Sequence, residues 1–524
     1  MTLRDSDDTG PLLSAGERER GWHDRIPVWR RLRIRSWRIR WPLILLALAA
    51  VAYIGHLALD PDTRARLSKA SNTAFKTWTG PSEEDLDAAR RARQLMKDMK
   101  ERYPEESGHQ LPRLDNYVAL ERLASCLEAG TCTDNERRVI LLGSFHFGHS
   151  ELGWNGGEQV WARATLSAIR ELNHTYLFSW GHMDTLLNYQ ALPELVTHVL
   201  WERLQMDHCE KRNETNYLEM DKADYQTKPW HNWQTGPKRC MQSADYPQGI
   251  PYWKSFHFWF FVETVHPLGP HWVLSPENYD LWYNNNVNHT YLGYSIEHRC
   301  KMFPTFEHRE HRGLILAKTL NYFDKTRNKF YQVIGKARDG VRPVTEDGKE
   351  VKFELVTTVG DKGDRIDDPS MESLGRMDQK AWTGVLARSK LLLGIGHPIV
   401  SPSPYYALCM GVPFIQPLEF WDRTNPDDRT RWGTQQMALR MIQEPYVYHV
   451  RQGDEEGLRD AMQRAVDNPI EPYIPPEMKW DAFMGRVQSL LTRDWQAEAK
   501  AYVAWKYDDA PEWQHLAMDS PYKG

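Results

Sequence analysis

One uncharged apolar run, residues 41–59, constrains this chain most, because it is long enough to cross a lipid bilayer. Six arginines lie between residues 30 and 40, and Asp60 and Asp62 follow the run. By the positive-inside bias, we expect residues 1–40 to be a basic cytosolic tail, the run to be a transmembrane signal anchor, and the rest to be lumenal. A cleaved signal peptide is the alternative, although its charged region would be unusually long.

The length of 524 residues exceeds what one hydrophobic core usually organises, so we expect two packed domains with appendages. The formal net charge of -5 is small for this size, and the arginines cluster before the apolar run. This charge distribution gives no footprint for nucleic-acid binding.

All cysteines and three glycosylation sequons follow the anchor, in what would be an oxidising lumen. Cysteine pairing cannot be deduced from sequence, and buried free thiols are an alternative to disulfides. The cysteines are Cys126, Cys132, Cys209, Cys240, Cys300 and Cys409, with Cys126–Cys132 and Cys209–Cys240 as candidate pairs. The sequons begin at Asn173, Asn213 and Asn288.

Residues 60–136 have the composition of a stem. Ser82 to Asp85 resemble a capping box that opens a highly charged helix through Lys100. We therefore expect a solvated spacer here, with folded structure beginning at about residue 137.

Strand-like and helix-like segments alternate after the stem, which predicts an α/β fold with parallel sheets. The clearest segments are strands at 139–143, 176–180 and 391–394, helices at 158–172 and 403–411, and a strand from 412. We place the first domain at 137–288, the second at 289–495 and a C-terminal tail at 496–524. Between about 207 and 283 the sequence predicts long loops, which often carry a binding surface.

A glycine-containing turn joins the strand at 391–394 to the following helix. Gly394 and Gly396 permit a tight turn, and a helix N-terminus near Ser401 and Ser403 offers N–H groups to an anion such as a diphosphate. An ordinary β-α turn is the alternative.

Several segments carry a family resemblance. Residues 404–414, Pro-Tyr-Tyr-Ala-Leu-Cys-Met-Gly-Val-Pro-Phe, resemble the donor-site helix of GT-B glycosyltransferases. Residues 393–398, 443–446 and 468–475 are similar to the C-terminal domain of the N-acetylglucosaminyltransferase V family, and 289–297 and 317–323 resemble its earlier segments. The resemblance covers roughly 137–491.

The resemblance implies a GT-B fold, with two Rossmann-like domains facing a cleft. It also implies an inverting glycosyltransferase that moves N-acetylglucosamine from UDP-GlcNAc in β1,6 linkage to a mannose of a protein N-glycan. The implied location is the Golgi membrane, as a single-pass type II protein with a lumenal catalytic region.

Glu158 is the predicted catalytic base. An inverting transferase needs a carboxylate that removes the acceptor hydroxyl proton. The segment 153–161 lies between the first strand and its helix, and it resembles the family's glycine-rich loop ending in the catalytic Glu. Gly156, Gly157 and Trp161 are then acceptor-side residues. The alternative is a Glu placed in the first helical turn by the helix dipole.

His146 and His149 follow the same strand and are a rival source of a base or a metal site. On an extended chain, residues three apart point to opposite faces, so joint ligation would require a turn at Gly148. Loop or packing roles are the alternative.

We predict metal-independent catalysis without a cofactor, with UDP-GlcNAc as co-substrate. Asp-x-Asp patterns occur at 5–7, 60–62 and 85–87, all before the predicted folded region. The helix dipole and a cation such as Lys318 would then stabilise the diphosphate. A surface role for Lys318 is the alternative.

The donor site departs from the family at two positions. Tyr406 stands where the donor helix usually carries a Glu, and Val400 where the animal enzymes have another. Tyr406 could stack on the base or sugar and donate one hydrogen bond. A different nucleotide sugar, or a non-catalytic membrane-anchored sugar-binding protein, are therefore alternative functions.

Overall fold

The structure is a computed structural model. It describes residues 80–102, 110–203, 205–206, 240–244, 246–262, 266–282, 286–303, 308–324, 329–360, 366, 371–508 and 510–518. The described elements belong to one compact unit, Pro81–Gly524. The predicted tail and the anchor at 41–59 lie outside the described residues. Within the described ranges, no helix is long and apolar enough to cross a membrane.

The described chain alternates between helices and strands, and we number both in chain order. The helices are α1 (Glu83–Arg102), α2 (Gln110–Ala129), α3 (Asp134–Arg137), α4 (Phe145–Glu151), α5 (Gly157–Glu171), α6 (His182–Ala191), α7 (Glu297–Cys300), α8 (Tyr331–Asp339), α9 (Gln379–Arg388), α10 (Ser403–Cys409), α11 (Glu455–Asp467), α12 (Trp480–Thr492) and α13 (Trp495–Tyr507). The strands are β1 (Val139–Leu142), β2 (Thr175–Phe178), β3 (Val196–Trp201), β4 (Ser255–Phe258), β5 (Val273–Ser275), β6 (Thr290–Tyr291), β7 (Glu310–Leu316), β8 (Glu354–Thr357), β9 (Met371–Ser373), β10 (Ser389–Gly394), β11 (Phe414–Phe420), β12 (Gly433–Thr434) and β13 (Val447–Arg451).

The first half is built on a parallel sheet of order β2-β1-β3-β4-β5-β6. Every side chain of β1 is buried, as expected for a central strand covered by helices on both faces. The register pairs Leu142 with Phe178 and with Leu200, so the carboxyl ends of β1, β2 and β3 lie at one edge. In open α/β sheets this edge is where ligands bind.

The second half is built on a sheet of order β12-β11-β10-β7-β8-β9, with β13 also paired to β11. Its pairs are parallel except for β11 with β12. Gly394 pairs with Leu316, which places the turn after β10 and the loop after β7 at the same edge. The α/β prediction with two parallel sheets is therefore confirmed.

The expected stem differs most from the structure. Helix α1 begins after reciprocal hydrogen bonds between Ser82 and Asp85, as the capping pattern predicts. Its small apolar face is buried, however, with Ala88, Ala92 and Leu95 almost inaccessible to solvent. These side chains share one core with α2 and the first sheet. Residues 83–129, which the sequence predicts to be part of a solvated spacer, are therefore packed in the core, apart from the undescribed 103–109.

The predicted domain boundary and tail also differ from the observed packing. Strand β6 lies past residue 288 and pairs with β5, so it belongs to the first sheet. Helices α12 and α13 return to the first half: the backbone carbonyl of Leu490 accepts a hydrogen bond from His198, and Trp495 packs against Phe256. Described residues beyond 495, such as Ala499 and Val503, are thus buried in the core.

Candidate functional site

A polar network occupies the carboxyl edge of the first sheet. The Glu202 carboxylate, 6% exposed, accepts a hydrogen bond from the Ser144 hydroxyl at 3.2 Å, and its Oε1 lies 3.2 Å from His146 Nε2. Nδ1 of the same imidazole is 2.7 Å from the Gln159 amide nitrogen. This arrangement places a carboxylate and an imidazole beside the start of α5.

The two histidines lie on a helix, not on the extended chain or loop expected from the sequence. Helix α4 begins at Phe145 because the Ser144 side chain caps its first turn. His146 faces the Glu202 network, whereas the ring of His149 stacks on Trp154 with centroids 4.3 Å apart. The described residues hold no group of three or more potential metal-ligating side chains.

Glu158 lies in the first turn of α5, with Gly156 as the N-cap residue. Its side chain is half-buried. A Cβ on Gly157 would come within 2.8 Å of the Phe260 ring, so the helix start packs closely against the segment after β4. Burial, with the Glu277 and Glu158 carboxylates adding to it, raises the pKa of Tyr279, whose hydroxyl donates to the Phe260 carbonyl.

Trp161 lies within α5 rather than in a loop. Its side chain is fully buried, and its ring stacks on Phe258 with centroids 3.6 Å apart. Position 161 is three residues after Glu158 on α5, on the helix face that packs against the sheet. Its side chain is thus part of the core, and its acceptor-side role stays a prediction.

The turn after β10 is held by two consecutive glutamines. The Gly396 N–H donates to Gln435 Oε1 at 2.9 Å, and the Ser401 N–H donates to Gln436 Oε1 at 2.9 Å. The Ser403 N–H donates to Ser401 Oγ at 3.3 Å. The backbone donors proposed for a diphosphate are therefore engaged by side-chain oxygens in this structure.

Two further features distinguish this turn. Gly396 has a φ of 96° and Val400 a φ of 55°, both in the left-handed region. A β-branched residue adopts that region only at a cost in backbone strain, and such strain clusters at functional sites. Oε1 of Glu419 would be 2.5 Å from a Cβ on Gly396, so a carboxylate lies directly against the turn. Lys318 is exposed in the loop after β7, at the same sheet edge.

Tyr406 is buried between arginine and aromatic side chains. It is 3% exposed, the Arg299 guanidinium lies 5.7 Å from its ring centroid, and Phe303 contacts it edge-on. Within the described residues its hydroxyl has no hydrogen-bond partner. A stacking role for Tyr406 on a base or sugar would require Arg299 to move.

Asn155 joins the loop before α5 to helix α7, which carries Arg299. Its Oδ1 accepts hydrogen bonds from Arg163 at 3.1 Å and from Arg299 at 2.9 Å. Burial lowers the pKa of Arg163, and the charge of Arg299 acts in the same direction. Two guanidinium groups thus converge next to Tyr406.

Glu277 is a second contact between the halves. It follows β5 and is 3% exposed, and its Oε1 accepts a hydrogen bond from the Tyr405 hydroxyl at 2.7 Å. The same oxygen accepts from Nε2 of Gln436, which also donates to the Tyr405 hydroxyl at 3.0 Å. The residue that holds the Ser401 N–H is therefore held in turn by the first half.

The cysteines and sequons are placed as follows. Four of the described cysteines form the pairs Cys126–Cys132, as expected, and Cys300–Cys409, which joins α7 to α10, and Cys240 is also disulfide-bonded. Cys209 and Asn213 lie outside the described residues. Asn288 is exposed, whereas Asn173 accepts a hydrogen bond from Arg122 at 2.6 Å.

The sequence reasoning missed the side chains that support these sites: Glu202, Glu277, Arg163, Arg299, Glu419, Gln435 and Gln436. Most of these residues belong to no recognisable local sequence motif. The tandem glutamines, placed shortly after an α/β strand in a polar run, are the one signal that could have drawn attention.

Part of this chain is similar in sequence to known glycosyltransferases. Residues 256–511 match the model of glycosyltransferase family 18. The matched residues make up just under half of the chain, and over them it is similar to this family. Human alpha-1,6-mannosylglycoprotein 6-beta-N-acetylglucosaminyltransferase A is 19% identical over 235 residues, which cover 42% of this chain and 30% of that protein. The human B form is 24% identical over 127 residues, covering 22% of this chain and 16% of that protein. The chain thus matches less than a third of the length of these curated relatives.

Two solved structures give weaker likenesses. The glycosyltransferase SnogD from Streptomyces nogalater is 12% identical with a TM-score of 0.25, covering 67% of this chain and 99% of that one. The E. coli heptosyltransferase WaaC, with ADP, is 13% identical with a TM-score of 0.27, covering 63% and 99%. TM-scores this low add nothing to the fold as described from its two sheets.

Proposed function

We propose that this chain is an inverting glycosyltransferase of the GT-B type that transfers N-acetylglucosamine from UDP-GlcNAc in β1,6 linkage to a mannose of a protein N-glycan. The observation that carries the proposal is the position of Glu158 in the first turn of α5, in a chain of which residues 256–511 match glycosyltransferase family 18. The side chain is half-buried there, at the edge where open α/β sheets bind ligands.

The proposed reaction is a single displacement. Glu158 accepts the proton of the mannose 6-hydroxyl while that oxygen attacks the anomeric carbon of the sugar. The bond between the anomeric carbon and the diphosphate oxygen breaks, and UDP leaves with the bonding electron pair. The configuration at the anomeric carbon inverts because attack and departure occur on opposite faces.

Stabilisation of the leaving diphosphate is proposed to come from the protein's own cations. Lys318 lies at the donor edge of the second sheet, and Arg299 lies beside the donor helix. Two of the Asp-x-Asp carboxylates, Asp85 and Asp87, pair with arginines on and near α1, outside this edge. This supports transfer that does not depend on a divalent cation.

The proposed location is the Golgi membrane, with residues 41–59 as anchor and the catalytic region in the lumen. The disulfides among the described residues, Cys126–Cys132 and Cys300–Cys409, support an oxidising compartment for the region after the anchor. The proposed partners are a nucleotide sugar, glycoprotein N-glycans and the membrane.

A transfer assay tests the proposal. The lumenal region is incubated with a panel of nucleotide sugars and free N-glycans, with and without EDTA, and the product linkage is determined. We expect transfer from UDP-GlcNAc that survives chelation. Transfer from another donor would reassign the substrate, and activity restored by Mn²⁺ would contradict metal independence. Binding of UDP-GlcNAc without turnover would favour the non-catalytic sugar-binding protein, which the engaged turn donors also favour.

A further inference from the structure

Glu277 occupies an unusual environment for a carboxyl group. It is 3% exposed, and within the described residues it makes no ion pair, while its Oε2 has no hydrogen-bond partner. A buried carboxyl without a cation is costly, so packing alone does not account for it. Its other oxygen receives hydrogen bonds from Tyr405 and Gln436, both in the second half.

Gln436 connects this carboxyl to the turn after β10. The side-chain Oε1 of Gln436 accepts a hydrogen bond from the Ser401 N–H at 2.9 Å. The backbone N–H of Gln436 donates to Gln416 Oε1 at 2.9 Å. A carboxamide whose nitrogen and oxygen are both engaged has one orientation, because a flip would place like atoms together. Glu277 receives the nitrogen end and therefore fixes the oxygen end toward Ser401.

We propose that Glu277 is a positioning residue for the donor turn, acting through the Gln436 carboxamide on the Ser401 N–H. The first half of the molecule thereby sets the geometry of the turn that, on the function proposed above, receives the nucleotide diphosphate. Loss of Glu277 leaves the Tyr405 hydroxyl buried without its acceptor and leaves that hydroxyl as the remaining acceptor of the Gln436 amide nitrogen, so the carboxamide is held less firmly. The turn at 395–402 then opens more often.

Hydrogen exchange of the unliganded protein tests this without any nucleotide. Peptides covering Gly396 and Ser401 are followed in wild type, Glu277→Ala and Glu277→Gln. We expect roughly tenfold or faster exchange in the Ala variant, because it leaves a buried polar group without its hydrogen-bond partner. The Gln variant keeps an acceptor oxygen for Tyr405 and Gln436, so its exchange should stay within about threefold of wild type.

Tyr279→Phe is the matched control. Tyr279 is equally buried, lies two residues away in the same segment, and loses one hydrogen bond, to the Phe260 carbonyl, that does not reach Gln436. A merely structural role predicts the same exchange at the turn in Glu277→Ala and in the control, and that result would overturn the proposal. If the Ala variant does not fold, Glu277→Asp decides in the same way, since it withdraws the carboxylate by one methylene.

Calorimetric titration with UDP adds a second measurement. We expect UDP binding to weaken roughly tenfold in Glu277→Ala and to be unchanged in Tyr279→Phe. Wild type that fails to bind UDP would refute the proposed function, whereas the exchange measurement would still decide the role of Glu277. Normal UDP binding with unchanged exchange in Glu277→Ala would refute the positioning role alone.

Discussion

Glu158 is placed where two roles compete, general base and partner of the helix dipole. The side chain is half-buried in the first turn of α5, and its charge acts on Tyr279 in the neighbouring segment. A carboxylate that only complements the dipole would usually be more exposed. The rival base is the imidazole of His146, paired with Glu202 at the same sheet edge.

Replacing Glu158 by Gln separates these roles, because the amide keeps the size of the side chain but cannot accept the proton. We expect kcat to fall by about 10² to 10⁴, with UDP affinity little changed. Loss of a dipole partner alone would cost at most about 1 kcal/mol of stability and leave turnover intact. Steady-state kinetics and UDP titration measure both effects. A wild-type kcat in Glu158→Gln, with a collapse in Glu202→Gln, would transfer the catalytic role to the His146 pair.

Glu277 should also make stability depend on pH. Burial raises the pKa of Glu277 from 4.5 to about 7, although hydrogen bonds from Tyr405, the Ala438 N–H and Gln436 act to lower it. The Glu477 carboxylate raises the same pKa further, and no positively charged side chain contributes to lowering it. The folded protein therefore holds this proton across a range where the unfolded chain has released it.

Stability from this carboxyl is present below about pH 4.5 and is lost as pH rises through about 7. We expect the free energy of unfolding of wild type, relative to Glu277→Gln, to fall by up to about 3 kcal/mol between pH 5 and pH 8, at about 1.4 kcal/mol per pKa unit. Urea unfolding of both proteins at several pH values measures the difference. Parallel curves for the two proteins would show that the carboxyl is ionised throughout.

At the scale of elements, α10 is too short to be stable by itself. It has seven residues, one of them Pro404, and follows Pro402. Contacts from other elements hold it in place, among them the disulfide between Cys300 and Cys409 and the hydrogen bond from the Tyr405 hydroxyl to Glu277. Helix α10 therefore depends on partners far from it in sequence.

Removing the Cys300–Cys409 disulfide by a double Ala substitution should lower the free energy of unfolding by about 2 to 4 kcal/mol. The two cysteines are 109 residues apart, so the closed loop is long and its loss adds much entropy to the unfolded chain. The Cys126–Cys132 pair spans 6 residues and is the control, with a smaller expected loss. Urea unfolding measures both, and equal losses would contradict the loop-length argument.

Elements with a strong local signal were predictable from the sequence. The all-apolar β1, the helix α5 and the strand β10 were predicted within one or two residues, because buried parallel strands and their glycine ends are distinctive. The sequence predicts α1 as a helix, but as one surrounded by solvent, because its buried face consists mostly of alanines among charged residues. A narrow alanine face is too weakly hydrophobic to indicate from the sequence alone that it packs in a core.

The supporting side chains of the site were not predictable, because they meet only in the folded chain. Glu277 and Gln436 are 159 positions apart, and Asn155 and Arg299 are 144 apart. The burial of Trp161 in the core was not predictable for a similar reason. Its burial depends on β4, a strand about a hundred residues later, and α5 periodicity alone does not show which face packs there.

At the scale of the whole molecule, the C-terminal helices tie the end of the chain to the first half. The Trp480 indole donates to the Glu171 carboxylate at the end of α5, and the Leu491 carbonyl accepts from Arg138. A continuous buried cluster runs through both sheets and these helices. The second half is thus anchored on the first by the segment that follows it in sequence.

Trp495 is the central side chain of this anchor, and Trp505 on the same helix is its matched control. Trp495 is 3% exposed and packs against Phe256 and Trp272, with ring centroids 4.8 and 5.2 Å away, whereas Trp505 is 79% exposed. We expect Trp495→Ala to lower the free energy of unfolding by about 3 to 5 kcal/mol, because it removes a large buried ring and leaves a cavity.

Trp505→Ala should change that free energy by no more than about 0.5 kcal/mol, as for most surface substitutions. Both substitutions remove an indole from α13, so any effect of helix propensity is shared and the difference reports packing against the first sheet. Urea unfolding followed by circular dichroism gives the two values. Equal and small losses would mean that α13 does not dock on the first half, and the chain beyond residue 495 would then be the tail that its sequence predicts.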